Sequence, residues 1–96
     1  MLAIEQTGIY RRWFKNLRDE RARARIRARL RRLQAGHIGD VRSVGSGVME
    51  MRVDYGPGYR VYYCRRGQSV VVLLAGGHKG SQTRDIRRAI KLASGL

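Results

Sequence analysis

Apolar positions in the first third of the chain recur at helical spacing. Ile9, Trp13 and Leu17 fall four residues apart, Tyr10 and Phe14 widen the stripe, and Thr7 is placed to cap the helix. Ahead of it, residues 2–6 (LAIEQ) alternate weakly, which predicts a short opening strand. The next stretch, DERARARIRARLRRLQAG (19–36), alternates Arg with Ala and imitates a strand of period two. Residue type overrules that period, because Arg, Ala and Leu are strong helix formers, Asp19 and Glu20 suit a helix N-terminus and Gly36 supplies a stop. A second helix is predicted, with Ala22, Ile26, Leu30 and Leu33 on its apolar side.

From residue 40 onward the helical period gives way to short runs punctuated by glycine. DVRSV, VMEMRVDY, YRVYYCRR and SVVVLLA are separated by Gly45 and Gly47, by Gly56-Pro57-Gly58 and by Gly67. That spacing predicts four consecutive strands in an antiparallel meander, with Pro57 in a turn where its missing N–H does no harm. The unbroken apolar run of SVVVLLA marks the last strand as central and covered on both faces. Beyond Gly80, Ser81 or Thr83 is placed to cap a final helix whose Ile86, Ala89, Ile90 and Ala93 have core spacing, and Gly95 ends it. The predicted order is β-α-α-β-β-β-β-α, an α+β fold in a single domain spanning residues 1–96.

Charge narrows the partners. Lys and Arg number 21 against 7 Asp and Glu, a formal net charge of +14, while a hydrophobic share of 43% is that of a folded chain. Self-repulsion at that charge is relieved by a polyanion or an acidic protein, and nucleic acid is the leading partner class. Cys64 is the one cysteine, which excludes an internal disulfide, and MLAIEQTG lacks a basic segment followed by a long apolar run. No apolar stretch approaches the roughly 18–20 residues of a membrane span. A cytoplasmic protein with no membrane association is expected. One Cys and two widely separated His, His37 and His78, give no metal-ligand spacing, and no cofactor motif is present.

Two stretches carry candidate chemistry. Side chains alternate along a strand, so Glu50, Arg52 and Asp54 share one face of VMEMRVDY, and Arg60, Tyr62 and Cys64 share one face of YRVYYC. If register brings these faces together, they form a polar patch whose guanidinium groups fit phosphate oxygens. The competing arrangement is a cross-strand ion pair of Glu50 with an arginine. In AGGHKGSQTRD (75–85), two glycines end the central strand, His78 and Lys79 follow, and the chain enters a helix whose first-turn N–H groups can receive an anion. The Walker spacing is absent. Metal-free RNA cleavage needs proton transfer from the 2′-hydroxyl, cations to stabilise the phosphorane and a proton for the leaving oxygen. Glu50 or His78 can transfer protons, and Arg52, Arg60 and Lys79 supply charge. Residue types alone leave nuclease and non-catalytic binder both open. Arg23, Arg27 and Arg31 either solvate the second helix or attract phosphates or an acidic partner, and His37 is structural or exposed.

EMRVDYGPGYRVYY (50–63), VVVLLAGGHKGSQTRDI (70–86) and LQAGHIGDVRSVGSGV (33–48) together resemble the HigB-like "addiction module killer" branch of the RelE/ParE toxin superfamily. The resemblance implies two N-terminal helices packed on a small twisted, mostly antiparallel sheet closed by a C-terminal helix. It implies a type II toxin that enters the ribosomal A site and cuts messenger RNA, silenced by a co-encoded antitoxin, often a helix-turn-helix protein. Within the same superfamily the alternative is a gyrase poison of the ParE kind, and outside it a non-catalytic regulator that binds nucleic acid or an antitoxin. Carried onto this chain, Arg60 is the phosphate-stabilising arginine, and His78 and Lys79 form the strand-end basic pair, His78 standing where branch members commonly have Asp. Glu50 and Arg52 hold positions from which relatives project polar catalytic groups. Gln82, with Arg23, Arg27 and Arg31, is placed in the substrate-binding set, and Tyr62 either stacks on a base or covers the sheet. The Gly-Pro-Gly turn is expected to deliver Arg60 beside Glu50 and Arg52, with Tyr59 and Val61 turned the other way into packing.

Overall fold

The computed structural model describes residues 1–96, with elements in the order β1 (Ala3–Gln6), α1 (Gly8–Lys15), α2 (Glu20–Gln34), β2 (Val41–Gly45), β3 (Val48–Val53), β4 (Tyr59–Arg66), β5 (Val70–His78), a 3-10 turn (Lys79–Ser81) and α3 (Gln82–Ser94). The strands form one five-stranded sheet in the order β1-β5-β4-β3-β2. β1 pairs in parallel with β5, and every other pairing is antiparallel. The element order is the predicted one. Strand β5 runs further than the apolar run suggested, through both glycines to His78, whereas Asp54 and Tyr55 leave β3 for the turn.

Helix ends follow local chemistry. Thr7 Oγ1 accepts from the Tyr10 N–H, and its hydroxyl donates to the Leu74 carbonyl at 2.6 Å, so one side chain caps α1 and fixes it to the sheet. Asp19 caps α2 by accepting from the N–H groups of Arg21 and Ala22. At the far end of α2 the Gly36 N–H reaches the Leu33 carbonyl and the His37 N–H the Arg32 carbonyl. This is a Schellman ending, and Gly36 adopts the φ of +94° that it requires. The last helix departs from expectation, since Ser81 makes no side-chain cap bond; its hydroxyl is spent on Asp85 and on the His78 carbonyl.

Two apolar clusters sandwich the sheet. On one face α1 and α2 bring Tyr10, Ile26 and Leu33 against Met51, Val53, Val61, Tyr63, Val71 and Leu73. On the other face α3 contributes Ala89, with Ile86 and Ile90, to a cluster containing Val48, Tyr62, Cys64, Val72 and Leu74. A bulge in β5 interrupts the register with β4. Tyr63 pairs with Leu73 and Tyr62 with Ala75, so Leu74 is an extra residue and the alternation of β5 reverses beyond it. Gly76 therefore lies beneath Trp13, where an added Cβ would sit 2.2 Å from the indole, and Gly77 faces α3, where it would sit 1.8 Å from Asp85 Oδ2. The glycine pair admits a helix against each face of the same strand.

Candidate functional site

The β2–β3 hairpin turns at Ser46 and Gly47, with φ of 55° and 77°. That primed turn sets Arg42 directly opposite Glu50, despite a register shift at Gly45. Next to them, β3 and β4 pair Glu50 with Tyr62 and Arg52 with Arg60. The faces that sequence left open do coincide, on the α3 side of the sheet, so Arg60 lies beside Glu50 and Arg52 while Tyr59 and Val61 pack against the other cluster.

Glu50 is the hub of this cluster. Its Oε1 accepts from Arg42 Nε at 2.8 Å, and its Oε2 accepts from the Tyr62 hydroxyl at 3.0 Å and from Gln82 Nε2 at 2.9 Å. Arg60 Nε lies 4.0 Å from the same Oε2. The Glu50 side chain is 0% exposed, Arg60 12% and Arg42 50%. Burial pushes the Glu50 carboxyl up, but the hydrogen bonds from Arg42, Gln82 and Tyr62 outweigh it and hold the carboxyl below its ordinary value. Burial, and then the hydrogen bond to Glu50, push the Tyr62 hydroxyl well above its ordinary value. Arg60 Nε is buried without a hydrogen-bond partner. A position projected from Gly58 lies 3.8 Å from Arg60 Nη1 and 3.4 Å from Lys79 Cβ, so Arg60 and Lys79 flank the Gly-Pro-Gly turn together. Glu50 thus stands among two guanidinium groups, and the base of the Lys79 side chain lies on the same turn as Arg60.

Several expectations are corrected by this geometry. Tyr62 cannot stack on a base, because it is fully buried and its hydroxyl is bound to Glu50. Glu50 forms the cross-strand ion pair weighed from the sequence, with Arg42, and is buried with both oxygens occupied, so it is not placed to take a proton from a substrate. One N–H of the Gln82 amide is spent on Glu50. Arg52 turns to the rim of the sheet, where Nε and Nη2 donate to Asp40 Oδ1 at 3.1 and 2.6 Å while Arg29 Nη1 donates to its backbone carbonyl. His78 Nδ1 accepts from the Gly80 N–H at 3.0 Å, and the first N–H of α3 goes to the Lys79 carbonyl. Two of the N–H groups at that turn are thus spent within it. His78 pairs with Tyr59 and so belongs to the opposite side of β5 from Gly77.

The arginine row on α2 also changes meaning. Arg23 donates to the Leu17 carbonyl at 2.8 Å and pairs with Glu20. Arg25 lies 4.7 Å over Tyr55, and Arg27 5.1 Å over Phe14. These side chains fasten α2 to the loop and helix before it and to the turn after β3. Arg31 is exposed and carries no such contact. Because α2 packs on the opposite face from Glu50, none of Arg23, Arg27 and Arg31 joins the Arg42–Arg60–Lys79 cluster.

Residue-type reasoning passed over Arg42, whose signal was the tight Ser46-Gly47 turn, and Asp85, buried beneath Gly77 and bonded to Ser81. A buried acid in the first turn of a helix and a glycine opposite it are one feature, visible only once β5 and α3 are packed together.

Comparison with known proteins places this architecture. The sequence profile of the phage-derived protein Gp49-like family (DUF891) matches residues 12–95, and a Haemophilus influenzae protein described as uncharacterized is 43% identical over 95 residues, covering 99% of this chain and 96% of its own length. The chain belongs to the Gp49-like family. Its fold is that of RelE: a mutant of the E. coli toxin RelE in the free state superposes with a TM-score of 0.74, 15% identity and coverage of 94% of this chain and 95% of its own. The RelE/ParE resemblance of the sequence holds at the level of the fold, while the family matched is the Gp49-like one and not the HigB branch by name. No helix is long and apolar enough to cross a membrane.

Proposed function

We propose that this protein is the toxin of a type II toxin–antitoxin pair and that it cuts messenger RNA on the ribosome. The observation that carries the reading is the pair Arg42 and Arg60 around one locked carboxylate on a RelE-like sheet, with Lys79 beside the turn that Arg60 flanks. Arg42, Arg60 and Lys79 outnumber the two carboxylates on this face, Glu50 and the Asp85 that sits over Gly77 opposite Arg60, which leaves a positive excess where a phosphodiester can lie.

The step is in-line attack of the 2′-hydroxyl on the adjacent phosphorus. The 2′-O–P bond forms, the P–O5′ bond breaks, the 2′ proton passes to solvent and the 5′ oxygen takes up a proton. Arg60, Arg42 and Lys79 stabilise the charge that builds on the phosphoryl oxygens. His78 lies on the opposite side of β5 from Gly77, the strand partner of Arg60, so in this reading the leaving oxygen takes its proton from solvent. Glu50 acts here as a positioning residue that aims Arg42 and Arg60. A second reading, a cationic binder without turnover, is favoured by one fact: both carboxylates on this face, Glu50 and Asp85, are buried and hydrogen-bonded away from substrate.

The test is mapping of transcript 5′ ends in a bacterial translation extract, with and without active ribosomes. New ends inside codons that depend on ribosomes and vanish with Arg60→Ala are expected. Growth arrest without new ends, accompanied by DNA breaks, would move the assignment to a gyrase poison, and arrest with neither would favour the binder.

A further inference from the structure

The turn Tyr55-Gly56-Pro57-Gly58 joins β3 to β4 and stands beside Arg60 and Lys79, yet its tip carries no side chain able to hold it in place. Gly56 and Gly58 take φ of 57° and 79°, and Pro57 has no N–H to donate. Tyr55 is the one residue of the turn tied to the rest of the molecule. Its N–H donates to the Val53 carbonyl at 2.9 Å, and its carbonyl closes the turn by accepting from the Gly58 N–H at 3.1 Å. Its ring packs against the α1/α2 cluster, with the Arg25 guanidinium 4.7 Å from the ring centre. Its hydroxyl donates to Asp19 Oδ2 at 2.9 Å, while the other oxygen of that carboxylate caps α2. The Tyr55 hydrogen bond comes ahead of the cap bonds in holding the Asp19 carboxyl below its ordinary value.

We infer that Tyr55 and Asp19 form a latch that positions Arg60 and Lys79 for the reaction, by fixing the turn beside those two cations to the start of α2. This rests on the nuclease reading above. Glycine permits many backbone states, so a turn built on two glycines pivots once its one anchored residue is released. Arg60 begins two residues beyond that turn, and its Nη1 lies 3.8 Å from a Cβ built on Gly58, so a displaced turn displaces the guanidinium. Stabilising charge on a phosphoryl group depends on such placement to about 1 Å. The fold itself depends on the latch far less, because the bond is solvent-exposed. Tyr55 and Asp19 are therefore positioning residues that reach the substrate only through Arg60 and Lys79.

The experiment compares wild type with Tyr55→Phe, Asp19→Ser, their double variant and Asp19→Asn. Tyr55→Phe keeps the ring and removes the hydroxyl. Asp19→Ser keeps the α2 cap and removes the second oxygen, whereas Asp19→Asn keeps the cap and offers Nδ2 to the Tyr55 hydroxyl. Melting and amide exchange at Gly58 are measured on each protein, and cleavage of a translated messenger is followed over a range of ribosome concentrations. With Tyr55→Phe and with Asp19→Ser, exchange at Gly58 is expected to rise about threefold or more, and the rate at saturating ribosomes to fall about tenfold. The half-saturating ribosome concentration and the melting temperature should hold. The double variant should be no slower than either single one, and Asp19→Asn should match wild type. Unchanged exchange at Gly58 in both single variants, cleavage lost only in step with melting, or fully additive losses in the double variant would overturn the inference. So would a raised half-saturating concentration at an unchanged maximal rate, which assigns the pair to ribosome docking. Absence of cleavage by wild type rejects the nuclease reading instead, and the latch then stands or falls on exchange at Gly58.

Discussion

Gly76 and Gly77 are the most constrained small residues in the chain. In sequence they resemble the start of an anion-binding turn, yet each is glycine because a helix presses on it, Trp13 from one side and Asp85 from the other. Gly77→Ala is expected to destabilise the protein by about 1–3 kcal/mol, and Gly76→Ala by a similar amount, the range seen when a packed interior is forced to take an extra carbon. Urea denaturation of the two variants measures this, and wild-type stability in Gly77→Ala would mean that α3 does not approach β5 as closely as described.

Glu50 makes a prediction in pH. Its folded-state pKa lies below the ordinary 4.5, so its contribution is fully present above that value and is lost as pH falls through the depressed one. Glu50→Gln is expected to cost about 1–3 kcal/mol near neutral pH, because Tyr62, Gln82 and Arg42 lose a charged acceptor. It should also flatten the acid limb of a stability profile, with the deficit against wild type shrinking as pH drops. A deficit that grows on acidification would assign Glu50 a raised pKa and reopen its proton-transfer role.

At the scale of elements, α2 is a helix whose charge is partly structural. Arg27→Ala is expected to lower stability by about 0.5–1 kcal/mol through the lost contact with Phe14. Arg31→Ala should leave the melting temperature unchanged and, if the helix touches nucleic acid, reduce the salt slope of RNA binding by about one. The contrast between neighbours on one helix is the check: equal effects on melting would show that the packing roles are misassigned. The existence of α2 was legible because helix propensity, the Asp19 cap and the Gly36 ending are local. Which arginines are used internally was not, since Phe14, Leu17 and Tyr55 lie on other segments.

For the whole molecule, α3 is the cover of the second cluster. Cys64 is packed there, and burial pushes its thiol up. Native protein should therefore react slowly with a thiol reagent, and a chain truncated before Gln82 should react at close to the rate of unfolded protein. Fast labelling of the intact chain would show that α3 detaches readily. The same helix delivers Gln82 to Glu50 and Asp85 to Gly77, so its docking and the order of the cationic cluster are one event.

The sequence by itself determined the elements and their order, because periodicity, caps and turn glycines act within a few residues of one another. It also determined that the chain is strongly cationic and that Arg60 comes two residues after a Gly-Pro-Gly turn. Tertiary structure alone decided that Arg42 meets Glu50, that Glu50 and Tyr62 are buried, that Arg52 goes to Asp40 and that the β5 bulge turns one glycine to each helix. Those outcomes depend on strand register and on two helices closing from opposite faces. Neither is encoded in spacing along the chain; both are fixed by which packing buries the apolar clusters without leaving a charge unpaired.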